Sequence, residues 1–230
     1  MTSPYKPLPE EAMRLCRAVD APPRLIAHLT LVHDVADRLI SSLHNAFPNL
    51  EMDTDSILFG AATHDIGKAI HREELTAPGK LHELRGVDLL RELGISEHRA
   101  RFALTHGNWR GNFGSPENPE LVNLKPGNLK TGNPEPENSK PGNSKTRDLA
   151  RDLKKITLED LLVALADNCW KGKRVPDLET EVVNAISRAT GKDKDKDAWL
   201  VFSILDDILQ ELAADADQRL AWQAQFPTEQ

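Results

Sequence analysis

The chain has 230 residues, 39% hydrophobic and 28% charged, with a formal net charge of -7. That is length enough for one domain with a substantial core, and an acidic balance that argues against general nucleic-acid binding. Two cysteines, Cys16 and Cys169, form no CxxC or CxxH spacing. This makes a zinc finger improbable and suits reduced thiols in a cytoplasmic protein. The start of the chain lacks a basic stretch followed by an apolar run, and nowhere is there an apolar run long enough to span a membrane. A cytoplasmic location without membrane contact is therefore expected.

In chain order the pattern is helix after helix. Pro9, Glu10 and Glu11 suit a helix start, and Met13, Leu15, Cys16 and Val19 follow at helical spacing. Pro22-Pro23 ends that segment. Residues 24 to 46 read as a long amphipathic helix carrying Leu25, Leu29, Val32, Ala36, Leu39, Ile40 and Leu43. Asp53, Thr54 and Asp55 offer caps for a helix running into His64-Asp65. Two short helices, 83 to 93 and 96 to 106, are split at Gly94. Thr157 and Asp160 fit a capping box that opens LEDLLVALADNCW. A helix over about 178 to 189 follows. The last runs from about 196 to 224, with Trp199, Phe202, Leu205, Leu209 and Leu212 on one side. No alternating strand pattern is present, so the fold class is all-α.

Residues 107 to 150 break this pattern. Asn118, Asn123, Asn128, Asn133, Asn138 and Asn143 recur every five residues among Pro, Gly, Lys and Glu. The pentads supply no regular inward apolar residue, so the segment reads as a disordered low-complexity insertion. The expected organisation is a single helical domain over 1–106 and 151–230, interrupted by this insertion. The final helix either completes the core or pairs two chains.

The chemistry lies in His28, His64, Asp65, His82, His106 and Asp167. Each is embedded in an apolar setting, where an unpaired charge or imidazole is costly. One such residue is commonly a hydrogen-bonded core group, but six across several helices point to a shared partner. Imidazole nitrogens and carboxylate oxygens form the mixed ligand set of Mn, Fe, Ni, Zn or Mg-type divalent ions, and the charge of such an ion offsets the desolvation of Asp65 and Asp167. Along the second helix His28 and His33 flank the apolar stripe on opposite sides, and periodicity leaves both open. His33, His44, His71 and His98 read as surface histidines.

His28, the pair His64-Asp65 within HDIGK, and Asp167 together resemble the HD-domain metal-dependent phosphohydrolases. The resemblance covers about residues 10 to 106 and 157 to 190, and implies a helical bundle. It assigns His28, His64, Asp65 and Asp167 as ligands of a divalent metal. The family pattern places a Val four residues after the first ligand, which selects His28 (Val32 follows) over His33. His82 and His106 resemble the extra histidines of two-metal branches; they hold a second metal, touch substrate phosphate or are merely structural. With two metals Asp65 bridges, and with one it orients water. Lys68 either contacts phosphate or is solvated past the helix end. Lys171, Lys173 and Arg174 form a basic cluster near Asp167, suited to phosphate oxygens or to a helix C-terminus.

The implied activity is hydrolysis of a phosphate ester or anhydride, of a nucleotide by family kinship, by metal-activated water. Asp65 and Lys68 are the catalytic residues, and the partner is a small phosphorylated molecule. No GYP triplet is present, which disfavours the cyclic-dinucleotide branch bearing it. The alternatives are a catalytically inactive regulatory or binding module, and a single-metal HD-type lyase or hydratase acting on a non-phosphate substrate.

Overall fold

The computed structural model describes residues 3–110, 155–192 and 197–229. These residues form ten α-helices: α1 Glu10–Ala18, α2 Pro23–Ala46, α3 Thr54–Thr63, α4 Leu81–Glu92, α5 Glu97–Ala100, α6 Phe102–Thr105, α7 Leu158–Cys169, α8 Pro176–Ala189, α9 Ala198–Ala213 and α10 Ala216–Gln223. Two 3-10 turns, Ile66–Ala69 and Arg72–Leu75, link α3 to α4, and no strand occurs among the described residues. The all-α reading holds. The pentad repeat lies outside the described residues.

Local chemistry sets the helix ends. Pro22 and Pro23 open α2, where a missing N–H costs nothing. Asp53 caps α3 by accepting the Ser56 amide. The capping box at α7 is formed in both directions between Thr157 and Asp160. Asp160 also accepts from Arg101 at 2.7 Å and from the Thr105 hydroxyl at 2.8 Å, which joins the α6 segment to the start of α7.

The α2 helix is the spine. It packs on α3, α7 and α9, and α7 packs in turn on α3 and α8. Leu161 to Ala166 are all buried, so α7 is enclosed nearly all round, as its sequence suggests. The main core gathers Leu31, Leu39 and Leu43 of α2 with Ile57, Leu162, Val182 and Leu205.

Several expectations shift. The helix expected over 96 to 106 is two short pieces bent at Arg101. The last helix is broken at Ala214 and Asp215, where the chain turns so that α10 can return to α2. Arg219 of α10 is fully buried in that return. Its Nε donates to the Trp170 carbonyl at 2.5 Å, and it also donates to the Leu212 carbonyl and to Asp215. Trp199 and Phe202 are exposed, and the buried side of α9 is Val201, Leu205, Ile208, Leu209 and Leu212. His33 is buried rather than at the surface. Residues 107–110, read from sequence as the start of the insertion, are packed in part: Asn108 is buried and donates to Glu83 at 2.5 Å, and Arg110 reaches Asp177 of α8 at 2.6 Å.

Candidate metal centre

The six singled-out residues converge although they come from five helical segments. His28 lies in the first half of α2, His64 caps the C-terminus of α3, and Asp65 follows directly at the start of a 3-10 turn. His82 is the second residue of α4, His106 follows α6, and Asp167 lies near the end of α7. One glycine makes the convergence sterically feasible. A Cβ on Gly67 would stand 2.0 Å from the His82 carbonyl oxygen and 2.7 Å from the Gly86 amide nitrogen. Only a residue without a side chain lets the turn after Asp65 lie against α4, which brings His82 to Asp65.

Asp65 is the hub. Its Oδ2 lies 3.1 Å from His28 Nε2 and 3.8 Å from His64 Nε2. Its Oδ1 lies 3.1 Å from His82 Nε2 and 3.4 Å from His106 Nε2. Asp167 Oδ1 closes the first group at 3.4 Å from both His28 and His64. Two sets of donors able to hold a metal ion therefore share one carboxylate: His28, His64 and Asp65 on one side, Asp65, His82 and His106 on the other.

Hydrogen bonds behind the rings select the tautomers. His64 Nδ1 donates to the Ala61 carbonyl at 3.0 Å, and His106 Nδ1 to the Phe102 carbonyl at 3.1 Å. His82 Nδ1 donates to the Glu74 carboxylate, which also accepts the Leu81 and His82 amides. With Nδ1 carrying the proton, each Nε2 presents a lone pair to the centre. His82 Nε2 and Asp65 Oδ1 are both buried, stand 3.1 Å apart and yet make no hydrogen bond. Two buried donors aimed at one point without bonding each other suit ligands of a common cation.

The buried carboxylates at the centre are held charged by the cation and imidazoles around them. Burial works against the charged form of Asp65, but the His64 imidazole, Lys68 and the other histidines outweigh it and hold the carboxyl well below its usual range. Asp167 is likewise held low against its burial by His28 and His64. For His106 burial is overcome by Asp65, and its pKa rises to about 9. Burial dominates at His64 and lowers it.

The remaining predicted residues separate. Lys68 Nζ bonds Asp65 Oδ2 at 2.5 Å and, burial notwithstanding, is kept cationic by that carboxylate. A cleft of about 220 Å³ opens over the first group, and both Lys68 and Lys171 line it. Lys173 is exposed and does not line this cleft. Arg174 is turned away altogether. Its guanidinium grips Glu179 at 2.7 and 2.9 Å and Asp206 at 2.7 Å, so its planar fork is already occupied by carboxylates. Of the basic cluster only Lys171 reaches the cleft.

The structure adds residues that the sequence reading missed. Glu74 braces His82, Trp170 packs its ring edgewise on His28 at 5.3 Å, and Arg24 and Gln223 line the cleft. Arg24 had a signal that was available, since it lies four residues before His28 on the same helix face. Glu74 had none, because it reaches His82 through the irregular turn before α4.

A family model described as HD domain matches residues 11–170. The chain belongs to the HD-domain metal-dependent phosphohydrolase superfamily. No curated protein and no solved structure matches it. HD domains bind divalent metals, and the donor groups around Asp65 in this HD-domain protein are able to hold one. No helix among its described residues is long and apolar enough to cross a membrane.

Proposed function

We propose that this HD-domain protein hydrolyses a phosphate ester or anhydride of a small molecule, a nucleotide by family kinship, at a two-metal centre. The single observation that carries the reading is the division of Asp65, whose two oxygens face two separate imidazole groups. Such a carboxylate suits a bridge. His28, His64 and Asp167 would complete one site, and His82 and His106 the other. The nitrogen and oxygen donors suit Mn, Fe, Ni, Zn or Mg-type ions.

Divalent ions bound there would lower the pKa of a water and offset charge on a phosphoryl oxygen. The chain supplies the rest. Asp65 and the Nδ1 bonds of His64, His82 and His106 hold the donor atoms in place before substrate arrives. Lys68, already cationic at the cleft wall, offers its ammonium to a non-reacting phosphoryl oxygen. Lys171, 5.7 Å from the centre of the Trp170 ring, lines the same cleft. Together they orient the phosphorus for in-line displacement, in which water oxygen bonds to phosphorus, the leaving oxygen departs, and one proton passes from the water to that leaving group.

The test is release of phosphate or nucleoside from a nucleotide panel with added Mn²⁺, comparing the protein with Asp65→Ala. Turnover that vanishes in the variant supports the reading. Tightly bound metal with no turnover of any phosphate ester in either protein sinks it, and favours a single-metal lyase or a binding module instead.

A further inference from the structure

We infer that the cleft holds a second anion-binding position centred on Arg24, so that the molecule it accepts carries two linked phosphoryl groups or an equivalent pair of anions. The inference rests on the phosphohydrolase reading and narrows its substrate class.

Arginines in this acidic chain are generally satisfied. Arg38 pairs with Asp215, Arg99 with Glu11, Arg101 with Asp160 and Arg174 with Glu179. Arg14 and Arg188, without an ion pair among the described residues, are exposed to water. Arg24 has neither a partner nor full exposure. It is half-buried at the cleft wall, no carboxylate pairs with it among the described residues, and its buried Nε makes no hydrogen bond. A guanidinium partly withdrawn from water without a counter-ion is costly. Its main chain is fixed, because the Arg24 amide donates to the Pro227 carbonyl at 2.9 Å. The buried Nε is thus left as a donor without an acceptor among the described residues.

Position gives the missing partner its chemistry. Arg24 precedes His28 by four residues on α2, one turn along the same face and about 6 Å along the axis. Lys171 follows Asp167 by four residues at the end of α7, and Lys68 follows Asp65 by three. Each cation therefore sits about one turn from a metal-site residue, and all three line the same cleft. Lys68, bonded to Asp65, lies at the metal site itself. Arg24 and Lys171 line the cleft together with Gln223 of α10. A planar guanidinium in the same cleft as an ammonium suits a tetrahedral dianion, which can accept both arms of the fork. A monoester with a neutral leaving group would leave that guanidinium unpaired.

The test uses two probes that cannot be hydrolysed, methylenediphosphonate and methylphosphonate. Each is titrated calorimetrically into the Mn²⁺-loaded full chain at fixed free Mn²⁺, with bound metal measured in parallel. The unaltered protein should bind the diphosphonate at least about tenfold more tightly, as expected of one added charge-assisted contact. Arg24→Gln should remove most of that margin while retaining its metal. Arg24→Lys, which keeps the charge but loses the fork, should fall between, and it decides the matter if Arg24→Gln fails to fold. Equal binding of both probes by the unaltered protein overturns the inference and leaves the phosphohydrolase reading standing. So does an undiminished margin in either folded variant. Metal-loaded protein that binds neither probe removes both.

Discussion

The two halves of the centre share Asp65 but differ in how far they open to the surface. The half built from His82 and His106 is enclosed, and its rings are braced from the rear by the Glu74 carboxylate and the Phe102 carbonyl. The half built from His28, His64 and Asp167 opens to the cleft; the Asp167 side chain is 22% exposed, against 6% for His82 and His106. Lys68 and Lys171 line the cleft on the open side. The difference separates two duties. On the proposed function the closed half would hold a position, while the open half would be where an incoming anion meets Lys68 and Lys171.

The largest expected effect comes from removing what the halves share. Asp65→Asn should cost both metal sites, and turnover should fall on the order of a thousandfold, since several kcal/mol of charge stabilisation go with them. Metal analysis and steady-state kinetics on one preparation check this; retention of two ions per chain would mean that the halves are independent. Glu74→Gln touches the closed half alone. It should weaken one site by ~10–100-fold, as loss of a carboxylate behind a ligand histidine does, and leave the other unchanged in a two-site metal titration. Equal weakening of both sites would erase the distinction between the halves.

A third expectation separates the acid response of the scaffold from that of the centre. Burial, followed by the Lys6 charge, pushes the pKa of His33 down to about 4. Between pH 4 and the ordinary histidine value near 6.5 the unfolded chain binds more protons than the folded one, so stability rises with pH across that window and is lost as pH falls through it. The contribution is on the order of 3 kcal/mol. In His33→Gln, urea unfolding at pH 4.5 and 7 should show a smaller difference than in the unaltered protein. The smallest effect is expected outside both halves. Arg174→Ala should cost roughly 1 kcal/mol or less, because that guanidinium is partly exposed. It should leave KM for phosphate substrates unaltered; a raised KM would show that Arg174 leaves its carboxylates to bind substrate.

Much of this was legible before any coordinates. Three-to-four-residue periodicity marked α1, α2, α7 and α8, because the burial of one face dictates where apolar residues fall along one helix. The chemistry was legible for a related reason. His64-Asp65 at the end of an apolar run, and Asp167 inside another, are expensive without a partner, so their mere presence signals one. The break between α9 and α10 was not legible, since it depends on Arg219 finding the Trp170 and Leu212 carbonyls across the core.

Sequence by itself settled the helical class and marked the buried histidines and carboxylates able to hold a metal. Tertiary structure alone decided that Asp65 divides between two histidine groups, that Glu74 stands behind His82, that His33 is buried, and that Arg174 is spent on Glu179 and Asp206 while Arg24 is not spent at all. The physical reason is common to all of these. Periodicity reports the angle of a side chain about its own helix axis, whereas its partner across the core depends on how the helices are stacked, and here on the close approach that Gly67 permits between the end of α3 and the start of α4.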